Sequence, residues 1–407
     1  VRVRILLDDL DTGGKDELLQ LIDAHPNVEI RLYNPFANRD LPAVDFITDF
    51  DRVDHRMHTK TFTADNRAVV FGGRNVGDEY FAASPELGFR DMDVLAVGPI
   101  VQEISSQFDL FWNSEWVYPV SAFPLDKPIA TEDIEAFHER VVKDRKAASG
   151  SDYAHIVSRL DSTTVTSFAD LDLFWSEWLL AYDLPSNVEG GELTAATHLA
   201  PNLKQGMDRT REELIIVAPY FVPGQEFARY LAEKAEQGVR VRILTNSLAS
   251  GDVSLVHAAY MRYREDLLAA GVELYEYKAF SDEEIDTTVG PYHIDTRRGM
   301  LHAKSYGFDR RYLFVGSFNL DPRSAVWNTE LGAYFESPEH ARHLSEVFDK
   351  QIMLFAYRLQ LDADGELEWF TLGEDGREVR VDHEPDTEFW ERFNTRILSP
   401  LVPEQQM

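Results

Sequence analysis

The sequence predicts an α/β protein made of two similar halves related by a pseudo-twofold axis. Three repeated features predict it. VRVRIL stands at 1–6 and again at 239–244. His-x-Lys-x4-Asp stands at 58–65 (HTKTFTAD) and at 302–309 (HAKSYGFD). Each of these motifs leads to an asparagine in a Gly-containing turn, GGRN at 72–75 and GSFN at 316–319. A lone His-x-Lys is ordinarily a surface strand. Two copies in matched surroundings indicate internal duplication and a shared function.

The elements follow in the same order in both copies. VRVRIL alternates and reads as a strand. It leads through an Asp/Gly-containing loop into a helical stretch, DDLDTGGKDELLQLI in the first copy and TNSLASGDVSLVHAAYMRYREDLL in the second. A strand follows, VEIRLY at 28–33 and VELYEY at 272–277. Beyond each His-x-Lys lies a strand–turn–strand unit, turning at Asp65-Asn66-Arg67 and at Asp309-Arg310-Arg311. RDMDVLAVGP (90–99) then parallels TELGAYFESP (329–338). Each enters a helix in which Phe108-Asp109 matches Phe348-Asp349.

The second copy opens with EELIIVAPYFVPGQEFARYLAEKAEQG, read as a strand, a Pro/Gly turn and an amphipathic helix. Its first-copy counterpart is expected upstream of Val1, together with any leader or membrane anchor, because Val1 sits inside a strand pattern. The expected domains are 1–150 and 151–407. Between the copies, 113–210 is less regular. Its aromatic-rich FWNSEW and FWSEW are expected as core helices at the junction, and 358–389 as a hairpin-rich strand extension.

Composition narrows the chemistry. A chain of 407 residues exceeds one ordinary core. With no cysteine there is no disulfide, thiol nucleophile or Cys-based metal site. No apolar run approaches the ~18 residues that span a bilayer. The formal net charge of −31 repels nucleic acid, which proteins bind by neutralising phosphates with Lys and Arg. It also repels an anionic membrane surface at long range. Nucleic acid is therefore not the expected partner.

Residues i and i+2 of a strand share a face, so His58 projects with Lys60 and His302 with Lys304. If the halves face each other, two imidazoles and two ammonium groups converge. The lysines then neutralise an anionic phosphoryl group. One histidine attacks phosphorus and the other protonates the leaving oxygen. The turns, with Gly73 and Ser317, allow close backbone approach, and Asn75 and Asn319 each offer an amide donor. No cofactor or metal is required. Asp65 and Asp309 sit at the hairpin turns and are expected to be structural. A separate carboxylate must then orient each imidazole. Glu330 lies eight residues before Pro338 and Asp91 eight before Pro99. Glu330 is expected to hold His302, and Asp91, with Asp93 in reserve, its first-copy equivalent.

These residues resemble the phospholipase D superfamily, with its two His-x-Lys-x4-Asp motifs. The likeness is closer to bacterial cardiolipin synthases of the C type. It rests on GGRNVGDEYF, APYFVPG, TNSLASGDVSLVHAAYMRYR, VGSFNLDPRSAVWNTELG and the tail LEWF…EPDTEFWERF…LSPLVPE. The resemblance implies two domains, each a mixed sheet flanked by helices, with the site at their interface. It implies metal-free phosphatidyl transfer through a phosphohistidine, with His58 as nucleophile. The implied partners are phospholipids, with phosphatidylglycerol and phosphatidylethanolamine as candidates, and the surface of the bacterial membrane. An activating protein is left unspecified. A phospholipase D or nuclease-type hydrolase and an inactive lipid-binding protein are the alternatives; the intact His, Lys and Asn residues of both halves argue against the last.

Overall fold

The computed structural model describes all residues except 11, 40, 82–87, 151–153, 155–170, 172, 190–191, 280–286, 290–291, 295–298, 374–375 and 403–407. The first half runs β1 (Val3–Asp8), α1 (Asp16–Asp23), β2 (Val28–Tyr33), β3 (Thr61–Ala64), β4 (Ala68–Gly72), β5 (Gly88–Arg90), β6 (Asp93–Val97), α2 (Pro99–Trp112) and β7 (Val117–Pro119). The second half begins with β8 (Trp178–Tyr182), β9 (Glu213–Val217), α3 (Gly224–Glu236), β10 (Arg240–Asn246), α4 (Ser254–Tyr260) and β11 (Glu273–Tyr277). A small hairpin, β12 (Thr287–Val289) and β13 (Tyr292–Ile294), follows. Then come β14 (Gly299–Leu301), β15 (Ser305–Phe308), β16 (Tyr312–Gly316), β17 (Leu331–Glu336) and α5 (Pro338–Lys350). Strands β18 (Ala356–Leu361), β19 (Leu367–Leu372) and β20 (Glu378–Val381) precede α6 (Phe389–Leu398).

The second half is built on a ten-stranded mixed sheet in the order β20-β19-β18-β11-β10-β9-β15-β16-β17-β8. Its centre is parallel, β9 and β11 flanking β10, and β15 then joins β9 antiparallel. Apolar residues alternate through these strands and bury Leu214, Ile216, Val241, Ile243, Leu274 and Tyr306 in one core. The expected strand extension is present: β18, β19 and β20 add antiparallel strands at one edge.

The first half repeats this order with one difference. Its strands form two three-stranded sheets, β1-β2-β7 and β3-β4-β6, rather than one. In the second half β9 bridges the strands equivalent to β1 and β3; among the described residues no strand lies between β1 and β3. The motif aspartates reflect the same difference. The two hairpins turn on paired left-handed residues, Asp65 and Asn66 in one, Asp309 and Arg310 in the other. The Asp309 carboxylate accepts backbone N–H bonds from Arg211, Glu212 and Glu213, where the chain enters β9. Asp65 is exposed.

The aromatic segments between the copies behave unequally. Phe111 and Trp112 are buried at the end of α2, as core helices require. In FWSEW, by contrast, Trp175 is 82% exposed and Trp178 lies in β8, an edge strand of the large sheet. The expectation of a core helix there is corrected.

Candidate active site

The strand ends do the first positioning. Asp8 ends β1 and Asn246 ends β10, and the two occupy the same place in the repeat. The Asp8 carboxylate accepts the N–H of Met57, the residue before His58, at 2.7 Å. Asn246 holds Leu301, the residue before His302, by two bonds, accepting its N–H at 3.0 Å and donating to its carbonyl at 2.9 Å. Each histidine is thus hung from the C-terminal end of a parallel strand, where α/β sheets gather their ligands.

The halves then cross. β14 runs parallel to β5, and the backbone N–H of His302 donates to the Arg90 carbonyl at 2.7 Å. Opposite, the N–H of His58 donates to the Thr329 carbonyl at 2.9 Å, and that of Thr329 to Arg56 at 2.8 Å. Asp91 follows Arg90 and Glu330 follows Thr329, so each carboxylate emerges beside the histidine of the other half. Nδ1 of His302 lies 2.6 Å from Asp91, and Nδ1 of His58 lies 2.9 Å from Glu330. The pairing expected within each half is therefore corrected: Glu330 holds His58 and Asp91 holds His302. The two backbone bridges impose the exchange. Asp93, the reserve candidate, pairs instead with Arg74 at 2.6 Å.

The lysines complete the centre. Lys60 donates to the His58 carbonyl at 2.5 Å and Lys304 to the His302 carbonyl at 2.6 Å. Lys304 is fully buried. Each lysine is close enough for its charge to act on the histidine of the opposite half. Burial pushes Lys60 down to about 7 and Lys304 to about 8, with the carboxylates opposing. A phosphoryl anion between them would restore full protonation.

The two His–carboxylate pairs differ. Burial works to raise Glu330, but the His58 imidazole, Lys60 and the Ser317 hydroxyl, which donates to Oε2, together hold it below its ordinary value. Burial of His58 outweighs Glu330 and lowers the imidazole to about 4. Glu330 is ionised, so Nδ1–H of His58 donates to it and the Nε2 lone pair is free. At the place of Ser317 the first half has Gly73. A Cβ there would stand 2.3 Å from Asp91 Oδ1, so glycine makes room for the carboxylate but offers it no hydroxyl. Burial, opposed by Lys304, raises Asp91 to about 7. Burial and the two lysines drive His302 toward its neutral form. Near neutrality this pair shares one proton, leaning toward Asp91.

The asparagines are not equivalent. Asn319 is buried, with Oδ1 unbonded. Asn75 is exposed and donates to the Tyr80 hydroxyl at 2.9 Å. Tyr80, absent from the sequence reading, lies over His302 with its hydroxyl 3.4 Å from Nε2 and stacks on Phe89. Its repeat position holds Ser324, so duplication gave no signal for it. Asp8 and Asn246 could have been found from their matched positions at the ends of the VRVRIL strands. On the second-half rim, Tyr220 donates to Asp252 at 2.8 Å.

Residues 203–352 match the family model described as cardiolipin synthase, PLD-like domain. Over 412 residues the sequence is 38% identical to cardiolipin synthase C of Escherichia coli (strain K12), covering 99% of this chain and 84% of that protein. This chain belongs to the phospholipase D-like cardiolipin synthase family. An uncharacterized protein of Helicobacter pylori (strain J99) is 28% identical, over 100% of this chain and 79% of that one. Phosphatidylserine synthase of Haemophilus influenzae Rd KW20 shares the fold, with a TM-score of 0.53 at 13% identity over 100% of this chain and 90% of that one. The crossed site follows from the two halves of this chain, neither of which contains both a histidine and its carboxylate.

Proposed function

We propose that the protein is a phosphatidyltransferase that makes cardiolipin through a phosphohistidine. The observation that carries the reading is the pair of His–carboxylate couples, His58–Glu330 and His302–Asp91, converging with Lys60 and Lys304. The 38%-identical cardiolipin synthase supports the lipid product.

Nε2 of His58 attacks the phosphorus of a bound phospholipid. The N–P bond forms as the P–O bond to the head-group alcohol breaks, and His302 gives that oxygen its proton. As Nε2–H of His302 is lost, the proton on Asp91 passes to Nδ1. Lys60 and Lys304 hold the non-bridging oxygens through both steps. In the second step His302 takes the proton of an incoming hydroxyl. That oxygen bonds to phosphorus and His58 leaves. Cardiolipin carries two phosphatidyl groups on one glycerol, so the acceptor is phosphatidylglycerol. The donor is a second phosphatidylglycerol, releasing glycerol, or phosphatidylethanolamine, releasing ethanolamine. The site acts on lipid embedded in a membrane.

The test is mass spectrometry of products after the chain is incubated with isotopically distinct phosphatidylglycerol and phosphatidylethanolamine in mixed micelles. Cardiolipin is expected, and the label on the released alcohol identifies the donor. Phosphatidic acid as sole product would make the enzyme a hydrolase. Cleavage of DNA without lipid turnover would overturn the reading.

A further inference from the structure

Helix α6 presents an unusual surface. Of its ten residues only Thr395 is buried. Phe389 is 59% exposed, Trp390 67%, Phe393 45% and Ile397 53%. The three rings pack on one another, with centroids 5.4–6.0 Å apart, and among the described residues nothing covers them. Soluble monomers seldom leave such a cluster bare without a use for it.

The position of the cluster gives the use. α6 packs on α4, and just beyond it Ser399 Oγ donates to the Ala258 carbonyl at 2.6 Å. At the start of α4, Val253 and Leu255 are 39% and 41% exposed. Val253 follows Asp252, which accepts the Tyr220 hydroxyl and lies within electrostatic reach of Lys304 and Tyr80. α4 thus links the helix that carries the cluster to the rim of the catalytic centre.

We infer that the exposed face of α6, with Val253 and Leu255, is the surface by which the enzyme sits on a lipid bilayer while drawing a phospholipid head group into the site. The inference rests on the phosphatidyltransferase reading. Charge favours this occupant. The chain as a whole, at −31, is repelled by anionic lipid, so docking by a broad basic face is not open to it. α6 departs from that balance: it has one carboxylate, Glu391, and two guanidinium groups, Arg392 and Arg396, for a local +1. Glu391 is engaged with the Glu388 N–H at the helix start, and Arg396 is exposed. Trp and Phe beside an exposed arginine suit the boundary between acyl chains and phosphates. α6 has ten residues, too few to cross a bilayer, so an interfacial position is the one open to it.

The test is flotation with phosphatidylcholine vesicles, alone and mixed with phosphatidylglycerol, at low and high salt. Wild-type protein should float with both, and high salt should not release it. Phe389→Ser/Trp390→Ser/Phe393→Ser should lower vesicle binding at least ten-fold, and turnover of vesicle lipid with it. Its turnover of a dispersed short-chain phospholipid should be unchanged, which also shows that the variant is folded. The single Trp390→Ser variant should fall between. Undiminished vesicle binding by the triple variant would overturn the inference, as would loss of a dimer rather than of flotation. Absence of short-chain turnover in the wild type would instead count against the phosphatidyltransferase reading and leave the docking result to stand alone.

Discussion

The carboxylate of Glu330 lies 2.9 Å from Nδ1 of His58, a residue of the opposite half. The reciprocal contact, Asp91 to His302, is 2.6 Å. Neither half carries a complete His–carboxylate pair, so the centre exists only when both are docked. Glu330→Gln keeps the shape but removes the charge that fixes the His58 tautomer. It should lower kcat by about ten-thousand-fold and suppress phosphohistidine formation. Asp91→Asn should leave formation measurable with a substrate whose leaving group needs no proton. Rapid-quench measurement of the adduct in both variants is the check. Equal defects in adduct formation would mean that the carboxylates do not serve different steps.

Ser317 and Gly73 occupy equivalent places and separate the two pairs chemically. Ser317→Gly removes the hydroxyl that, after His58 and Lys60, helps to keep Glu330 ionised. A hydrogen bond to a charged group is worth about 1.5–3 kcal/mol, so kcat should fall about ten-fold or more, with KM little changed. Gly73→Ala should do greater damage, because the new Cβ would meet Asp91 Oδ1 at 2.3 Å and push the carboxylate off His302. Steady-state kinetics on the two variants tests the order, with circular dichroism as the control for folding.

The titrating groups set a pH profile. His58 must be neutral to attack, and its lowered value of about 4 makes it so above that pH. The His302–Asp91 pair must hold its proton, and Asp91 at about 7 loses it as pH rises. Lys60, also at about 7, loses its charge over the same range. kcat/KM, which reports the free enzyme, should therefore rise through about pH 4 and fall above about pH 7. A bound phosphate anion favours the charged lysines, so the alkaline limb of kcat should lie higher than that of kcat/KM. Coincident alkaline limbs would remove the lysines from phosphate binding.

Much of this was legible because the sequence states it twice. The VRVRIL strands, the hairpins turning at Asp65 and Asp309, and the two His–Lys pairs appear where the repeat puts them. The carboxylates Asp91 and Glu330 were legible as residues but not as partners. Sequence spacing pairs residues along the chain, whereas the bridges at Met57–Thr329 and at β5–β14 pair them across it. Tyr80 was not legible, since its repeat position holds Ser324 and its contact with His302 is made across the two halves. Trp175 and Trp178 misled because aromatic content signals burial only on average: Trp175 is exposed ahead of β8, and Trp178 packs half-buried from an edge strand rather than from a core helix.

The two histidines are similar in sequence but not in surroundings. The His58 side chain is 25% exposed and that of His302 8%. The Tyr80 hydroxyl stands 3.4 Å from Nε2 of His302, whereas Nδ1 of His58 is engaged by Glu330 and its Nε2 keeps a free lone pair. Glu330 is ionised beside His58; Asp91, raised to about 7, still binds a proton below neutrality beside His302. The first arrangement suits a nucleophile and the second a proton donor. Either His→Ala change should abolish turnover of phospholipid. With a substrate whose leaving group needs no proton, His302→Ala should still form an adduct, and the adduct should persist because no base activates the acceptor. His58→Ala should form none. Peptide mapping of the phosphorylated histidine, with the quenched sample kept alkaline to preserve the N–P bond, decides the matter. A phosphohistidine at 302 rather than at 58 would reverse the roles and would require Asp91, not Glu330, to be the ionised carboxylate during attack.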